Sequence, residues 1–569
     1  MPPKPRPQLL FIGADGLDPH LLARFADQGH LPHLAALQSR GTLAPLRSTL
    51  PPVTFPAWTS AYTGTTPDHH GVTDFTVREG YRVRFIGAHE RRGTTWPEHL
   101  TAAGLTVGMA WFPVTWPPLP LAGGYHISGW DSPVDVRGDA SFVHPPDLHR
   151  ALQRAFGAHH LAFDSLDEFS NDAAWFAHAA QALPRRLAQR AEMAQWLLAH
   201  RPVDVAAFYF GETDTVAHHF WAHGDPDSPR RPRRIPPGTE DAILRVYQSL
   251  DAAVGKLAAK VGPDTPILIA SDHGVQGNAA LRVHLNHFLA QCGLLRFRAP
   301  QHRLPLPQQL PLHRLRHALP HAVPRAWRRH LFNLWDRKGP GLVESRIRFG
   351  HIDFAHTLAF SEELPYAPAI WFNQRGRDPQ GQLPATERRA LYERICEAAR
   401  GFTLDDGTPV IQRIHRREDL GDGPFITRIP DLVLELATPG GYALTCAPSL
   451  NQDTPLLTRL DPNTAGSRKG QSLPGGHRRD GVWLTNANIH TGDPRVSIDA
   501  ATPLHIHHVP ALICRALGCA PAPSFAQPND APTPAPDTVP LAPPTAPAYT
   551  DAEARIVAAR LARLGYLEE

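Results

Sequence analysis

One threonine of the sequence stands in a setting that suits a nucleophile. Thr54 follows Pro51-Pro52 and precedes Pro56, and the residues from Ala57 onward have the composition of a helix. The pattern predicts a rigid turn that places Thr54 near a helix N-terminus, where unpaired N–H groups and the helix dipole favour an anion such as phosphate. Taken alone, the same pattern also fits a threonine that only precedes a helix with proline at its start.

Two further motifs have the residue types and spacing to bind a cation. Asp214 and His218 are four residues apart, so on a helix they face the same way and could hold one ion together. A surface pair or a capped helix is the simpler alternative. Asp272-His273 follows the apolar segment 266–270 and precedes a glycine, as expected for ligands at the C-terminal edge of a parallel sheet.

Two more side chains lie near opposite ends of the chain. Asp15 ends the apolar run within residues 8–16 and is followed by a glycine, which is how a buried parallel strand presents a ligand at its C-terminal end. His477 lies in the glycine-rich stretch 475–481. A lone histidine in such a stretch is more often solvated than a ligand.

Short apolar runs and one long helical segment are the elements that must position these residues. Runs of strand length include 203–210, directly before the Asp214 motif, and 266–270, while residues 183–200 have a helical pattern. Buried strands separated by helices predict an α/β protein with a central, mostly parallel sheet between helices. We therefore expect the reactive residues to meet at one edge of that sheet.

Composition excludes several classes of protein. The net charge of the 569 residues is only +3, which gives no argument for nucleic acid or membrane binding. No apolar run approaches the roughly 18 residues needed to span a bilayer, and only a few residues precede the first strand, so we expect neither a membrane span nor a signal peptide. The five cysteines have no CxxC spacing and are interpreted as reduced thiols. We expect a cytoplasmic protein.

Taken in order, the motifs resemble those of the alkaline phosphatase superfamily. The resemblance is strongest to its type I phosphodiesterase/nucleotide pyrophosphatase branch, and within it to cytoplasmic bacterial proteins described as predicted phosphohydrolases or phosphomutases. It extends over nearly the whole chain, to the terminal stretch 560–566. It implies an alkaline-phosphatase-like three-layer sandwich, with a central mostly parallel sheet and cap insertions.

The resemblance also implies a two-metal site. One metal would be held by Asp214, His218 and His477. The other would be held by Asp15, Asp272 and His273 together with the Thr54 oxygen. His219 is an ambiguous neighbour, but the spacing from Asp214 favours His218. Two divalent cations roughly 4 Å apart can clamp a phosphoryl group during an in-line displacement. Mixed Asp/His ligation suits zinc best, and the oxygen-rich half would also accept manganese.

The function implied is metal-dependent hydrolysis of phosphate esters through a phospho-Thr54 intermediate, with phosphodiesters or phosphonates ahead of monoesters. The substrate would be a small molecule, and no nucleic acid polymer is expected. A phosphomutase would use the same intermediate, and a catalytically silent binding protein is the alternative from another class. A sulfatase is disfavoured because Trp58 stands where its nucleophile motif has arginine.

One position departs from the nucleotide pyrophosphatases. Where those enzymes have an asparagine that donates to a phosphate oxygen, this chain has Phe75, which has no donor. The adjacent Asp74, when ionised, only accepts hydrogen bonds and would repel phosphate. Substrate oxygens could instead be held by Trp116 or by Trp130-Asp131.

The domain organisation predicted is a catalytic domain at 1–519, a proline-rich linker at 520–549 and a C-terminal helix at 550–569. Insertions are expected at about 76–180, as long loops lining a cleft, and at about 296–350. The second insertion is basic, and either attracts an anionic partner or forms a solvated face. Its arginines include Arg314, Arg316, Arg325, Arg328 and Arg329. The short C-terminal helix needs a packing partner, either the body of the chain or the second subunit of a homodimer.

Overall fold

The structure is a computed structural model. It describes residues 6–129, 140–157, 173–298, 340–449, 453–463, 473–487, 503–525, 549, 553–555, 557–558 and 561. Seven residues named above lie outside these ranges: Trp130, Asp131, Arg314, Arg316, Arg325, Arg328 and Arg329. The expectations about them stay predictions.

The strands are named in chain order. They are β1 (Leu9–Ala14), β2 (Thr42–Arg47), β3 (Thr76–Glu79), β4 (Arg82–Phe85), β5 (Val107–Ala110), β6 (Tyr125–Ile127), β7 (Val143–His144), β8 (Val205–Phe210), β9 (Ile267–Ala270), β10 (Gly274–Val283), β11 (Ala359–Phe360), β12 (Ala369–Phe372), β13 (Ile411–Arg416), β14 (Leu432–Leu436), β15 (Ala443–Cys446), β16 (Leu457–Arg459), β17 (Gly475–Arg478), β18 (Asp480–Thr485) and β19 (Leu504–His505).

The helices are named in the same way. They are α1 (Pro19–Asp27), α2 (Pro32–Gln38), α3 (Thr54–Thr63), α4 (Pro67–His70), α5 (Trp96–Ala102), α6 (Pro146–Phe156), α7 (Ala173–His200), α8 (Glu212–Gly224), α9 (Ala242–Val261), α10 (Leu285–Gln291), α11 (Pro340–Phe349), α12 (Arg388–Gly401) and α13 (Val509–Ala516). Within the described ranges, none of the helices combines the length and the apolar character needed to cross a membrane.

The centre of the molecule is a nine-stranded, mostly parallel sheet in the order β19-β2-β18-β9-β1-β8-β5-β6-β7. β1 lies between β9 and β8 and is parallel to both. All three strands are apolar and buried along their whole length, as a sheet covered on both faces requires. Helices α2, α7, α8 and α9 contact one another, and α3, α5 and α13 form a second contacting group. The predicted α/β sandwich is confirmed.

The region 76–180 is not made of loops alone, in contrast to the expectation from its Trp-, Pro- and Gly-rich sequence. β5, β6 and β7 come from this region and continue the central sheet beyond β8. Each is only two to four residues long. Runs this short are too brief to show an alternating pattern, so the sequence did not distinguish them from loops.

A second sheet, in the order β11-β12-β14-β13, has a hydrophobic core of its own. The core also takes side chains from α10 and α12, such as Phe288 and Ile395. β10 connects this second sheet to the central sheet. It starts directly after the Asp272-His273 motif and pairs with β17 in a separate ladder. The predicted domain boundaries at 519 and 549 stay predictions.

The described residues of the C-terminal segment pack on the body of the same chain. Val557 and Leu561 are fully buried in a cluster that contains Val53 and Phe55, the two neighbours of Thr54. Tyr549 stacks on Trp116 with ring centroids 5.5 Å apart. Packing of this kind is what a short amphipathic helix needs for stability.

Candidate functional site

Thr54 is the first residue of α3, as the sequence predicted. Val53 before it has an extended backbone, and the helix ends at Gly64, which has a left-handed conformation (φ 67°). All ten residues of α3 are buried, so packing on every side holds the helix, and Thr54 at its start, in place. The Thr54 hydroxyl lies 3.4 Å from Nε2 of His273. The start of α3 and the turn between β9 and β10, which carries His273, therefore meet at one point.

Asp15 follows β1 and is 2% exposed. Its Oδ2 accepts hydrogen bonds from the Trp58 indole (3.3 Å) and from the Tyr209 hydroxyl. The hydroxyl of Thr213 donates to its backbone carbonyl. With Oδ2 engaged in this way, Oδ1 is the oxygen that faces His273, at 3.4 Å from Nε2.

Sequence analysis missed these three partners of Asp15 as site residues. Trp58 had a detectable signal, because it is one helical turn after Thr54 and so lies on the same side of α3. Tyr209 and Thr213 had none. Their proximity to Asp15 depends on the β1–β8 register, in which Ala14 pairs with Phe210.

Asp272 and His273 follow β9, beside β1. Asp272 Oδ2 lies 3.2 Å from His273 Nε2, and its Oδ1 accepts a hydrogen bond from the Gly16 amide (3.3 Å). The Ser271 hydroxyl accepts from the Leu17 amide (2.9 Å) and donates to the His273 carbonyl (2.7 Å). These hydrogen bonds fix the backbone of Asp272 and His273, the two potential ligands.

Asp214, His218 and His477 form a second group. Asp214 and His218 lie on α8, with Asp214 Oδ1 3.2 Å from His218 Nε2. His477 lies on β17 rather than in a loop, and its Nε2 is 3.5 Å from the same oxygen and 3.0 Å from His218 Nε2. His219 instead packs against the Trp175 ring, with centroids 5.2 Å apart. The structure thus brings His218, and not His219, to Asp214.

Each of the three histidines has its Nδ1 close to a backbone carbonyl. The pairs are His218 with Gly475 (2.8 Å), His477 with Pro52 (2.6 Å) and His273 with Gly274 (3.0 Å). A carbonyl only accepts, so Nδ1 carries the proton in each ring and the Nε2 lone pair is left for a ligand. Metal-binding histidines in proteins are oriented in this way.

The two groups adjoin each other. The rings of His273 and His477 stack with centroids 3.7 Å apart. Two glycines allow α8, which carries Asp214 and His218, to pack closely against the end of β1 and against β17. A Cβ on Gly16 (φ 61°) would lie 2.9 Å from the Asp214 backbone, and one on Gly475 would lie 2.1 Å from the Ala217 carbonyl. Any side chain at these positions would push α8 away from the ends of β1 and β17.

The charges of the pocket are not balanced by its own residues. Burial and the charge of Asp214 raise the pKa of Asp15 to about 8. Burial and the charge of Asp15 raise the pKa of Asp272 well above its usual value. Burial also opposes ionisation of Asp214, but the neighbouring His218 holds its pKa below the ordinary value. Burial lowers the pKa of His218, but the charge of Asp214 more than offsets it and raises that pKa, so His218 is the counter-charge of Asp214. A bound cation would stabilise the remaining buried carboxylates.

The position that lacks the asparagine donor is part of an apolar cluster. Phe75 is fully buried, with ring centroids 4.6 Å from Phe55 and 5.6 Å from Tyr366. Asp74 beside it accepts hydrogen bonds from the hydroxyls of Thr76 (3.3 Å) and Tyr366 (3.2 Å). Burial raises the pKa of Asp74 to about 6. Its hydrogen bonds join the 74–76 segment to the residues around Tyr366.

Comparison with known proteins gives the family. The model of the type I phosphodiesterase/nucleotide pyrophosphatase family matches residues 9–449. No match was found among curated proteins. Solved structures similar to this chain include phosphonoacetate hydrolase from Sinorhizobium meliloti 1021, at 14% identity over 90% of this chain and 96% of that chain, with a TM-score of 0.49. Human ectonucleotide pyrophosphatase/phosphodiesterase 5 matches at 12% identity, with the same coverage and a TM-score of 0.40. The family match includes six of the seven predicted ligand residues, Thr54 among them, and His477 lies beyond it.

Because the match spans most of its length, the chain belongs to the type I phosphodiesterase/nucleotide pyrophosphatase family and is a hydrolase of phosphate esters.

Proposed function

We propose that the protein hydrolyses phosphodiesters with Thr54 as the nucleophile and two divalent cations as cofactors. One observation supports the proposal above all others. The Thr54 hydroxyl, three buried carboxylates and three imidazole Nε2 atoms meet at the ends of β1 and β9 and the start of α8. Phosphonates are the next substrate class to test, ahead of monoesters.

The residues present suit two cations. Asp15, Asp272 and His273 offer ligand atoms within 4.8 Å of one another, and so do Asp214, His218 and His477. Asp15 Oδ1 and Asp272 Oδ2 are buried and accept no hydrogen bond within the described structure, which leaves them for a cation. Bound cations would supply Lewis acidity, which lowers the pKa of a hydroxyl and stabilises charge on a leaving oxygen. The donor set fits zinc best and also allows manganese.

The chain itself positions the nucleophile. The Thr54 hydroxyl would release its proton to solvent, and Oγ1 would attack phosphorus as the bond from phosphorus to the leaving alcohol oxygen breaks. The alcohol oxygen takes a proton from solvent as it departs. Water would then cleave the phospho-Thr54 ester, releasing the second product and restoring the hydroxyl. Thr54 stands at the start of α3, where the positive end of the helix dipole favours the negatively charged phosphoryl oxygens. The Asp15 contacts with Trp58 and Tyr209 keep that ligand in place through both steps.

The test is hydrolysis of bis-p-nitrophenyl phosphate and p-nitrophenyl phosphate by zinc-loaded and manganese-loaded protein. We expect Thr54→Ala to lose turnover and to keep the same number of bound ions. Thr65→Ala, a hydroxyl deletion just beyond the end of the same helix, is the matched control and should keep its activity. Full activity in Thr54→Ala would overturn the nucleophile assignment, and a preference for the monoester would overturn the diester assignment.

A cytoplasmic location and a homodimer are also proposed. The first rests on the cysteines, because all five are free in the structure, as suits a reducing compartment. Cell fractionation checks the location. Light scattering of the purified protein checks the dimer.

A further inference from the structure

A third group of potential ligands lies away from the catalytic pocket. Asp68 and His69 belong to α4, which follows the nucleophile helix, and Asp422 belongs to the loop between β13 and β14 of the second sheet. One ligand atom from each of the three lies within 4.8 Å of the other two. His69 Nδ1 is 3.2 Å from Asp68 Oδ2. The group therefore joins two parts of the molecule that are distant in sequence.

Asp68 is buried with an unused oxygen. The residue is 1% exposed, and its Oδ2 accepts a hydrogen bond from the Gly423 amide (2.8 Å). Its Oδ1 is also buried but accepts no hydrogen bond from any described residue. Oδ2 is thus engaged by Gly423 and His69, whereas the buried Oδ1 is left as a potential ligand atom for a cation.

The loop that carries Asp422 is shaped around Asp68. A Cβ on Gly421 would lie 2.1 Å from Asp68 Oδ2, and one on Gly423 would lie 2.5 Å from the Asp68 carbonyl. That carbonyl accepts a hydrogen bond from the Phe425 amide (2.8 Å). Glycines on both sides of Asp422 thus let the loop close over Asp68. Asp422 itself is exposed, so the group opens to solvent on one side.

We propose that Asp68, His69 and Asp422 bind a divalent transition-metal ion such as Zn²⁺ or Mn²⁺ at a third site. Two carboxylates and one imidazole form a mixed oxygen and nitrogen donor set that suits these ions. Water would complete the coordination on the open side. The ion connects α4 to the β13–β14 loop and so ties the second sheet to the segment that follows Thr54. The site is independent of the proposed catalytic chemistry.

The experiment counts ions. Full-length protein is stripped with chelator and dialysed to equilibrium against one free Zn²⁺ concentration, and bound zinc per chain is measured by elemental analysis. We expect Asp422→Ala to bind one ion fewer than the unchanged protein. Asp405→Ala removes another exposed carboxylate of the same region and should bind the same number as the unchanged protein.

Equal zinc counts in Asp422→Ala and the unchanged protein would overturn the proposal and leave a protonated His69 as the partner of Asp68. Because Asp422 is exposed, its replacement should not prevent folding, which circular dichroism verifies. The thermal midpoint gives a second readout, since zinc should raise it less in Asp422→Ala than in Asp405→Ala. Thr54-dependent hydrolysis is measured on the same samples, so failure of this site and failure of the catalytic proposal give different results.

Discussion

Two clusters of buried polar side chains in this molecule differ in how the charge of their carboxylates is compensated. In the catalytic pocket, three buried carboxylates lie close together and pair with histidines. Asp214 pairs with His218 and His477, and Asp15 and Asp272 pair with His273. In the second sheet, Asp431 is equally buried but is surrounded by arginines of the chain itself. The contacts are with Arg388 Nη1 (2.7 Å), Arg417 Nη2 (3.0 Å) and Arg377 Nη1 (3.1 Å).

The pKa values follow from this difference. Burial disfavours the charge of Asp431, but Arg417 and Arg377 more than offset it and hold its pKa below the usual value. The pKa values of Asp15 and Asp272 are raised instead. The Asp431 cluster, here called the complete cluster, therefore contains its own counter-charges. The catalytic pocket, here called the incomplete cluster, depends on a ligand for them. This contrast distinguishes a structural ion network from a metal site when both consist of buried charged residues.

The largest effect should come from making the incomplete cluster unable to bind a cation. We expect Asp272→Asn to lower kcat/KM for a phosphodiester by at least about 10⁴-fold, or about 5 kcal/mol of transition-state stabilisation. Chelation of the unchanged protein should have the same result and be reversed by zinc. A chelated protein that keeps its full rate would show that the pocket works without a metal.

The next effect should come from removing the centre of the complete cluster. Asp431→Asn leaves three arginines facing one another, and we expect it to lower the free energy of unfolding by about 3–5 kcal/mol. Urea denaturation measures the loss, with the exposed Asp405→Asn as the control. If Asp431→Asn unfolds at the same urea concentration as the control, the arginine network does not stabilise the fold.

The same chemical change should have the opposite sign in the metal-free catalytic pocket. A carboxyl with a raised folded pKa destabilises the protein once the pH is above the pKa of the unfolded chain. Asp272→Asn should therefore stabilise the metal-free protein at pH 8, within the range of about 0.5–3 kcal/mol typical of single substitutions. The gain should shrink as the pH falls and disappear at about pH 3, below the unfolded pKa, where the Asp272 carboxyl is protonated in the folded protein and mostly protonated in the unfolded chain. Thermal unfolding at the two pH values tests this, and a loss of stability at pH 8 would contradict it.

Three carboxylates of the pocket were predictable because each follows a clear apolar strand, whereas His477 had no such signal. The buried runs of β1, β8 and β9 end next to Asp15, Asp214 and Asp272, and parallel strands bring such ends to one edge. The spacing of four residues also selected His218 over His219. What each ligand does chemically was implied by the resemblance and stays a proposal.

The rest depended on contacts that sequence patterns do not encode. Tyr209 reaches Asp15 across 194 positions because of strand register, which a single sequence does not specify. β5 to β7 are too short to show a period. The arginines around Asp431 come from three separate segments, so neither the network nor the second core was anticipated.

The smallest effect tests whether the complete cluster tolerates loss of one member. Arg388 shares Asp431 with two other arginines and is 22% exposed, so Arg388→Gln should lower stability by only about 1 kcal/mol. The adjacent Arg389, whose side chain is 91% exposed, provides the control, and Arg389→Gln should leave the urea midpoint unchanged. The catalytic pocket has no such redundancy, since each carboxylate there is a separate ligand in the proposed scheme. A loss in Arg388→Gln as large as that in Asp431→Asn would mean that the network acts as a single unit, and the contrast between the two clusters would then concern charge balance alone.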